Sequence, residues 1–299
     1  MKILDLSHRL PGPLAGLVLG DLGHEVIKIE DEDLKDPFLD GFFSSFDPSF
    51  SDWYHELNRS KKIIRLPLST PEGVRELFKF IKNADGLILS QSEKLKMKWG
   101  LTAENLSSYP LSVVELGSSE KIKTPMHDLN ALAHSGLLKL FLADQTRDIL
   151  SPPFLPFAGI TFGQQVATTL LSMMLKTREE KKLSWKTVYL LETIEKIYRP
   201  LWSLQSEHKG KVKFLHNGAY PCYCLYKLKG PAYLAVAAVE EKFWVAFSEA
   251  FKIKLEAPER FNTDPDSFKE VSRAVQNVTL EEAKLILKDN QWCISLIEQ

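Results

Sequence analysis

The stretch Met1–Glu30, MKILDLSHRLPGPLAGLVLGDLGHEVIKIE, decides the fold. Lys2–Leu6 is a short apolar strand, and Pro11-Gly12-Pro13 breaks it. Leu14, Leu17, Val18 and Leu22 then recur at helical spacing. Gly23 follows, a residue able to take the left-handed conformation that ends a helix. Glu25–Glu30 alternates in polarity and reads as a second strand. Two strands joined through one helix over so short a connection imply a parallel pair with a right-handed crossover.

Working outward, the same rhythm continues. Ile63–Leu66 is a third strand, and Thr70 and Pro71 suit the cap and first position of a helix whose apolar face is Val74, Leu77, Phe78 and Ile81. Asp85–Leu89 and Leu111–Leu116 read as further strands, with a short helix at Thr102–Leu106 between them. Strands alternating with helices predict a doubly wound α/β domain, Rossmann-like, with a parallel sheet. Pro37–Trp53, rich in aromatic, Gly, Ser and Asp residues, is expected to be irregular. Helices are expected over Ala131–Leu142, Gly163–Leu175 and Trp185–Trp202, the second almost wholly apolar and therefore buried. The polar, basic segment Ser206–Asn217 marks a boundary, giving a large domain over 1–205 and a smaller α+β domain over 206–299. In the latter, Ala219–Tyr226 and Ala232–Val239 alternate like strands around Lys229-Gly230, and helices follow at Lys242–Phe251, Ser267–Val275 and Thr279–Lys288.

Composition narrows the partners. With 38 Lys and Arg against 39 Asp and Glu, the net charge is only −1, which gives no electrostatic reason to expect nucleic acid or an anionic membrane. Apolar runs such as Leu87–Leu89 and Ala235–Val239 fall far short of the ~20 residues of a membrane-spanning helix. The N-terminus lacks the basic and apolar regions of a signal peptide, so a cytoplasmic location is expected. Cys222-Tyr223-Cys224 has one intervening residue and reads as one face of a strand, so no metal site is expected there. The opening turn lacks the G-x-G-x-x-G pattern, which argues against a nicotinamide or flavin enzyme.

Six separated motifs, in order, carry a family resemblance: Asp5–Glu30; Asn58–Lys62 with Leu68–Gly73; Lys98–Leu106; Met126–Leu138; Asn217–Trp244; and the closing DNQWCISLIEQ. Together they resemble the family III CoA-transferases and α-methylacyl-CoA racemases. The resemblance implies a CoA thioester as substrate or ligand, and an interlocked homodimer whose active site forms between two chains. Family members usually run on beyond the small domain, so the short C-terminus here puts part of that interlock in question.

The racemases need one group to abstract the weakly acidic proton beside the thioester carbonyl and another to redeliver it. The transferases need a carboxylate nucleophile. By resemblance His127 is the base and Glu240 the carboxylate that orients it. From the residues alone, a histidine before a helix, as His127 is, is more often a cap or surface residue, and Glu240 reads as a carboxylate favoured by a helix N-terminus. Asp128 could be a helix N-cap, and Asp128 or Tyr220 a replacement acid. A replacement is needed because the family's catalytic aspartate falls at Gly159, and no Asp or Glu occurs between Asp148 and Glu179. On the CoA side the family's Arg-Pro-Gly turn reads Ser92-Glu93-Lys94, and the turn after the fifth strand reads Gly117-Ser118-Ser119-Glu120-Lys121. His8 stands where arginine is common, with Arg9 adjacent. Arg59, Lys61 and Lys62 remain as a cationic cluster able to hold CoA phosphates, or as a solvated basic loop. These substitutions leave two readings: an acyl-CoA enzyme with altered residues, or a catalytically degenerate homologue that binds or regulates. In the first, His127 and Glu240 are expected around a deep pocket beside Gly159; in the second, Phe157 or Phe162 could fill that pocket.

Overall fold

The computed structural model describes residues 1–138, 149, 151–207, 215–288 and 292–298. The tail of the expected helix at 139–142 and most of the polar boundary segment, 208–214, lie outside them. Described residues up to 204 form one compact unit and those from 205 onward another.

In the first unit six strands form a wholly parallel sheet: β1 (Lys2–Leu6), β2 (Glu25–Asp31), β3 (Lys62–Leu66), β4 (Gly86–Leu89), β5 (Ser112–Gly117) and β6 (Ser184–Tyr189). Their order is β3-β2-β1-β4-β5-β6. The winding reverses between β1 and β4, and the carboxyl ends of strands at such a switch are where doubly wound sheets hold ligands. The expected fold class is the observed one.

Helices α1 (Pro11–Asp21), α2 (Phe42–Phe46), α3 (Ser49–Asn58), α4 (Pro71–Ile81), α5 (Glu93–Lys98), α6 (Ala103–Leu106), α7 (Asp128–His134), α8 (Phe157–Glu180) and α9 (Leu190–Glu207) cover the sheet and its edges. On one sheet face Ile3, Val26, Ile88 and Val114 pack with Ala15 and Leu19 of α1 and Val166 and Leu170 of α8. On the other, Leu4, Leu6, Ile27, Leu87 and Val113 pack with Leu77 and Ile81 of α4. The period-2 alternation of the strands sorts these two sets. Three expectations change. The aromatic segment 37–53 is largely helical, because rings three to seven residues apart stack along α2 and α3, as in Phe42 on Phe46 at 5.3 Å and Phe43 on Phe50 at 5.2 Å. Residues 185–189, expected as the start of a helix, belong instead to β6, since Ser-Trp-Lys-Thr-Val-Tyr supplies the β-branched and aromatic residues a pleated edge favours. Helix α8 runs 24 residues, well past both ends of its apolar stretch.

The same alternation that buries Ile3 and Val26 buries charge. Asp5, Lys28 and Glu30 point to the α1 face and are inaccessible, as is the head of Lys61. Lys61 Nζ donates to Asp5 Oδ2 at 2.8 Å, to the Pro13 carbonyl at 2.7 Å and to Asn58 Oδ1 at 2.8 Å, so all three of its protons are used. The pair passes against α1 at Gly16, where a Cβ would stand 2.8 Å from Asp5 Oδ2 and 2.9 Å from Lys61 Nζ. Lys28 Nζ donates to the Ser7 carbonyl at 2.7 Å and lies 3.6 Å from Asp36, whose carboxylate takes the Arg9 N–H at 3.1–3.2 Å. That contact helps hold Arg9 at φ 67°, in the left-handed region that a non-glycine residue rarely enters.

The second unit is a three-stranded antiparallel sheet in the order β7-β8-β9, from β7 (Tyr223–Lys227), β8 (Tyr233–Ala237) and β9 (Ile294–Ile297). Helices α10 (Glu241–Phe251), α11 (Pro265–Gln276) and α12 (Leu280–Ile286) cover it, with Trp244, Phe247, Val271 and Val275 packed on Tyr226, Leu234 and Val236. Cys222 is buried and Cys224 donates its thiol to the Gly218 and Tyr220 carbonyls. No helix among the described residues is long and apolar enough to cross a membrane, and among them no cluster of His, Cys, Asp or Glu could hold a metal ion.

Burial raises the pKa of the Asp5 carboxyl, but Lys61 and Lys28 outweigh it and hold it well below the usual carboxylate range. Burial also pulls the Lys61 ammonium down to about 8, against the opposing pull of Asp5. The folded-state pKa of Asp5 lies below its unfolded value, so the stability this pair contributes through Asp5 is present above about pH 4 and lost as pH falls further. Lys61→Met leaves a buried carboxylate without its hydrogen-bonded ion partner and should lower the unfolding free energy by about 3 kcal/mol in urea titrations. The double change with Asp5→Leu should recover part of that loss. An unchanged midpoint for Lys61→Met would show the pair to be without effect.

Candidate active site

Helices α7 and α8 meet end to end at the feature that matters most. His127 precedes α7 in extended backbone (φ −97°, ψ 176°), its N–H donating to Asn130 Oδ1 at 3.0 Å, and its side chain is exposed. Asp128 is the first residue of α7, yet its carboxylate serves the other helix. Asp128 Oδ1 accepts the Gly159 N–H at 2.6 Å, and the Ala158 N–H also bonds to this carboxyl. The first N–H groups of any helix lack intrahelical partners, and the helix dipole adds a partial positive charge there. An aspartate from another element therefore satisfies the start of α8, where Pro156 provides no side-chain cap.

The position that resemblance assigns to a catalytic aspartate thus lies against a carboxylate after all. A Cβ on Gly159 would stand 3.6 Å from Asp128 Oδ1, an ordinary contact, and 2.9 Å from Leu10 Cδ2, the far end of a flexible side chain. Asp128 is half-buried; burial raises its pKa, and the Gly159 and Ala158 N–H groups oppose that rise. Among the described residues no lysine or arginine forms an ion pair with it. The two phenylalanines expected near this place lie in different surroundings. Phe162 is a core residue of the sheet face, and Phe157 is 38% exposed with its ring edge-on to Phe154 at 5.8 Å.

The cations expected at CoA phosphates divide. Arg59 ends α3 and is half-exposed, with Nη2 3.0 Å from Asp21 and Nη1 3.7 Å from Glu56. Lys62 opens β3 and is exposed. Lys61, expected with them, is instead turned inward: its protons are spent on Asp5, Pro13 and Asn58, and none is left for an external phosphate. Ser92 is the cap of α5, its Oγ accepting the Leu95 N–H at 3.4 Å. The loop after β5 is held from α9, where Glu192 Oε1 accepts from Ser119 Oγ at 2.7 Å and from the Glu120 N–H at 3.1 Å. Sequence reasoning missed that clamp, which joins residues more than 70 positions apart and leaves no local signal. At the β1–β4 switch, the His8 N–H donates to Ser90 Oγ at 3.1 Å and its ring Nδ1 lies 3.5 Å from Gln91 Nε2. Burial first, then Lys28, depresses the His8 pKa.

In the second unit Glu240 sits at the cap position of α10 (φ −70°, ψ 141°), with an exposed side chain that makes no cap hydrogen bond. Tyr220 stacks edge-on against Phe261 at 5.8 Å. Both belong to the unit that starts at 205, whereas His127, Asp128, Gly159, Arg59, Lys61 and Lys62 belong to the first.

Comparison with known proteins places this architecture. The family model described as CoA-transferase family III matches residues 1–299. The chain is 31% identical over 113 residues to a succinate–glutarate CoA-transferase of Agrobacterium fabrum, a match covering 36% of this chain and 28% of that protein. It is 25% identical over 270 residues to the mouse α-methylacyl-CoA racemase, covering 86% of this chain and 65% of the racemase. Matched stretches therefore span only part of these relatives' own lengths. The crystal structure of a CaiB/BaiF family protein from Brucella suis has the same fold, with a TM-score of 0.76 at 18% identity over 100% of this chain and 83% of that one.

Because the folded-state pKa of Asp128 lies above its unfolded value, ionisation penalises the folded state as pH rises through the carboxylate range. Asp128→Asn keeps an oxygen acceptor and removes that penalty. It should be at least as stable as the parent at pH 7 by thermal unfolding, with the gap closing toward acid pH. Asp128→Ala, which loses the acceptor, should be about 1 kcal/mol less stable than the Asn variant. Equal stability of the two would show that the Gly159 contact is not a cap.

Proposed function

The chain belongs to CoA-transferase family III, and from that premise we propose that it acts on acyl-CoA thioesters, moving the proton on the carbon next to the thioester carbonyl. The observation that carries this reading is the exposed His127 one residue from a carboxylate held against Gly159. The longer of the two relatives' matches points the same way, since the racemase similarity runs over most of the chain and the transferase similarity over about a third.

A neutral imidazole suits the task. The α-proton of a thioester is weakly acidic, and an imidazole nitrogen can take it as a general base. Proton removal leaves an enolate whose charge rests on the thioester oxygen. Arg59 and Lys62 are assigned to the CoA phosphates, where a guanidinium can bind two oxygens at once. Glu240 keeps the orienting role that the resemblance implies, and a homodimer completes the proposal. Transfer of CoA between acids, the other activity represented among the relatives, would require a carboxylate nucleophile instead.

In deuterium oxide the protein should incorporate label at the α-carbon of a 2-methylacyl-CoA, read by mass spectrometry. His127→Ala should slow uptake by about 100-fold or more, the usual contribution of a positioned base. Absence of uptake by the parent protein across a panel of acyl chains would contradict the proposal.

A further inference from the structure

Inversion at carbon requires a second proton-transfer group, and Gly159 has no side chain to provide it. Asp128 meets the chemical requirements of that place. Its carboxyl is fixed by the Gly159 N–H at 2.6 Å, lies 3.6 Å from where a Gly159 Cβ would stand, and is half-buried with no ion-pair partner among the described residues. A cap alone would be served as well by a solvated serine or asparagine. We propose that Asp128 is the second proton-transfer residue of this site, carrying the proton that His127 does not return. The inference rests on the acyl-CoA reading above and goes beyond it, because α-proton exchange needs only one base whereas inversion needs two groups.

The step balances without an oxidant or co-reactant. His127 takes the α-proton; the C–H bond breaks and its electron pair moves into the enolate. The protonated Asp128 then gives its proton to the other face of the same carbon. A new C–H bond forms, the thioester carbonyl is restored and Asp128 is left as carboxylate. His127 loses a proton to water and Asp128 regains one. Burial raises the carboxyl pKa, so it keeps a proton to higher pH than an exposed aspartate does.

The test compares two readouts on one stereoisomer of a 2-methylacyl-CoA in deuterium oxide: label uptake and conversion to the opposite isomer. Asp128→Asn should lower the ratio of inversion to His127-dependent uptake by about 100-fold or more. Adding Gly159→Asp should restore inversion, because the new Cβ displaces only the Leu10 terminus and its carboxylate enters the same place. Inversion by Asp128→Asn at the parent rate would overturn the Asp128 assignment and leave the acyl-CoA reading standing. So would a double variant that stays inactive in inversion while it folds and exchanges. A covalent acyl or CoA adduct on Asp128, found by peptide mass spectrometry, would overturn it in favour of nucleophilic chemistry. No uptake by the parent protein would remove both readings together.

Discussion

Lys61 reaches from the end of α3 across the N-terminal helix to Asp5 in β1, and much of the first unit is arranged around that reach. Two charges out of water require good geometry and complete hydrogen bonding, and the pair has both. Each Lys61 proton has an acceptor, and Ser7 donates its N–H to the other Asp5 oxygen at 3.0 Å. The bond to the Pro13 carbonyl ties the first turn of α1 to the same ammonium, so the position of α1 follows from the ion pair. Gly16 is the residue that lets the pair lie against the helix.

The position of α1 in turn locates the site. Gly163 in α8 approaches the Pro11 carbonyl so closely that a Cβ there would stand 2.8 Å from it, and one turn earlier Gly159 faces Leu10. The N-terminus of α8 is therefore fixed against the turn that follows β1. Asp128 closes the arrangement from α7. A chain with no ionisable residue at the start of α8 thus still has a carboxylate there, supplied by a different helix.

Much of this was legible in the sequence. The β1–α1–β2 unit, the cap at Thr70 and the sheet class followed from periodicity and turn chemistry, because each element's local preference agrees with its place in the fold. The segment 37–53 was not, since its helices depend on ring-on-ring contacts that an aromatic-rich, Gly-containing stretch does not announce. Strand β6 was hidden because the helix directly after it lends its period to the whole run 185–202. At the site, His127 and Asp128 were visible as types and Gly159 as a gap. The bond between Asp128 and Gly159 joins residues 31 positions apart and is a product of tertiary packing. Lys61 was misplaced for a related reason: a lysine in a basic loop reads as solvated until its partner is known. The partner did carry a signal, an aspartate inside the apolar run Lys-Ile-Leu-Asp-Leu, where an unpaired charge would be costly.

The central claim is that an acyl-CoA thioester is handled at the junction of Asp128 and Gly159. The Gly159 amide is a direct reporter, because its proton is bonded to the carboxylate in question. With glycine-selective ¹⁵N labelling, and the resonance assigned by its loss in Gly159→Ala, titration with a 2-methylacyl-CoA should shift the Gly159 amide saturably and leave Gly230, in the turn between β7 and β8, unmoved. A Gly159 amide that stays fixed at saturating acyl-CoA would contradict the account.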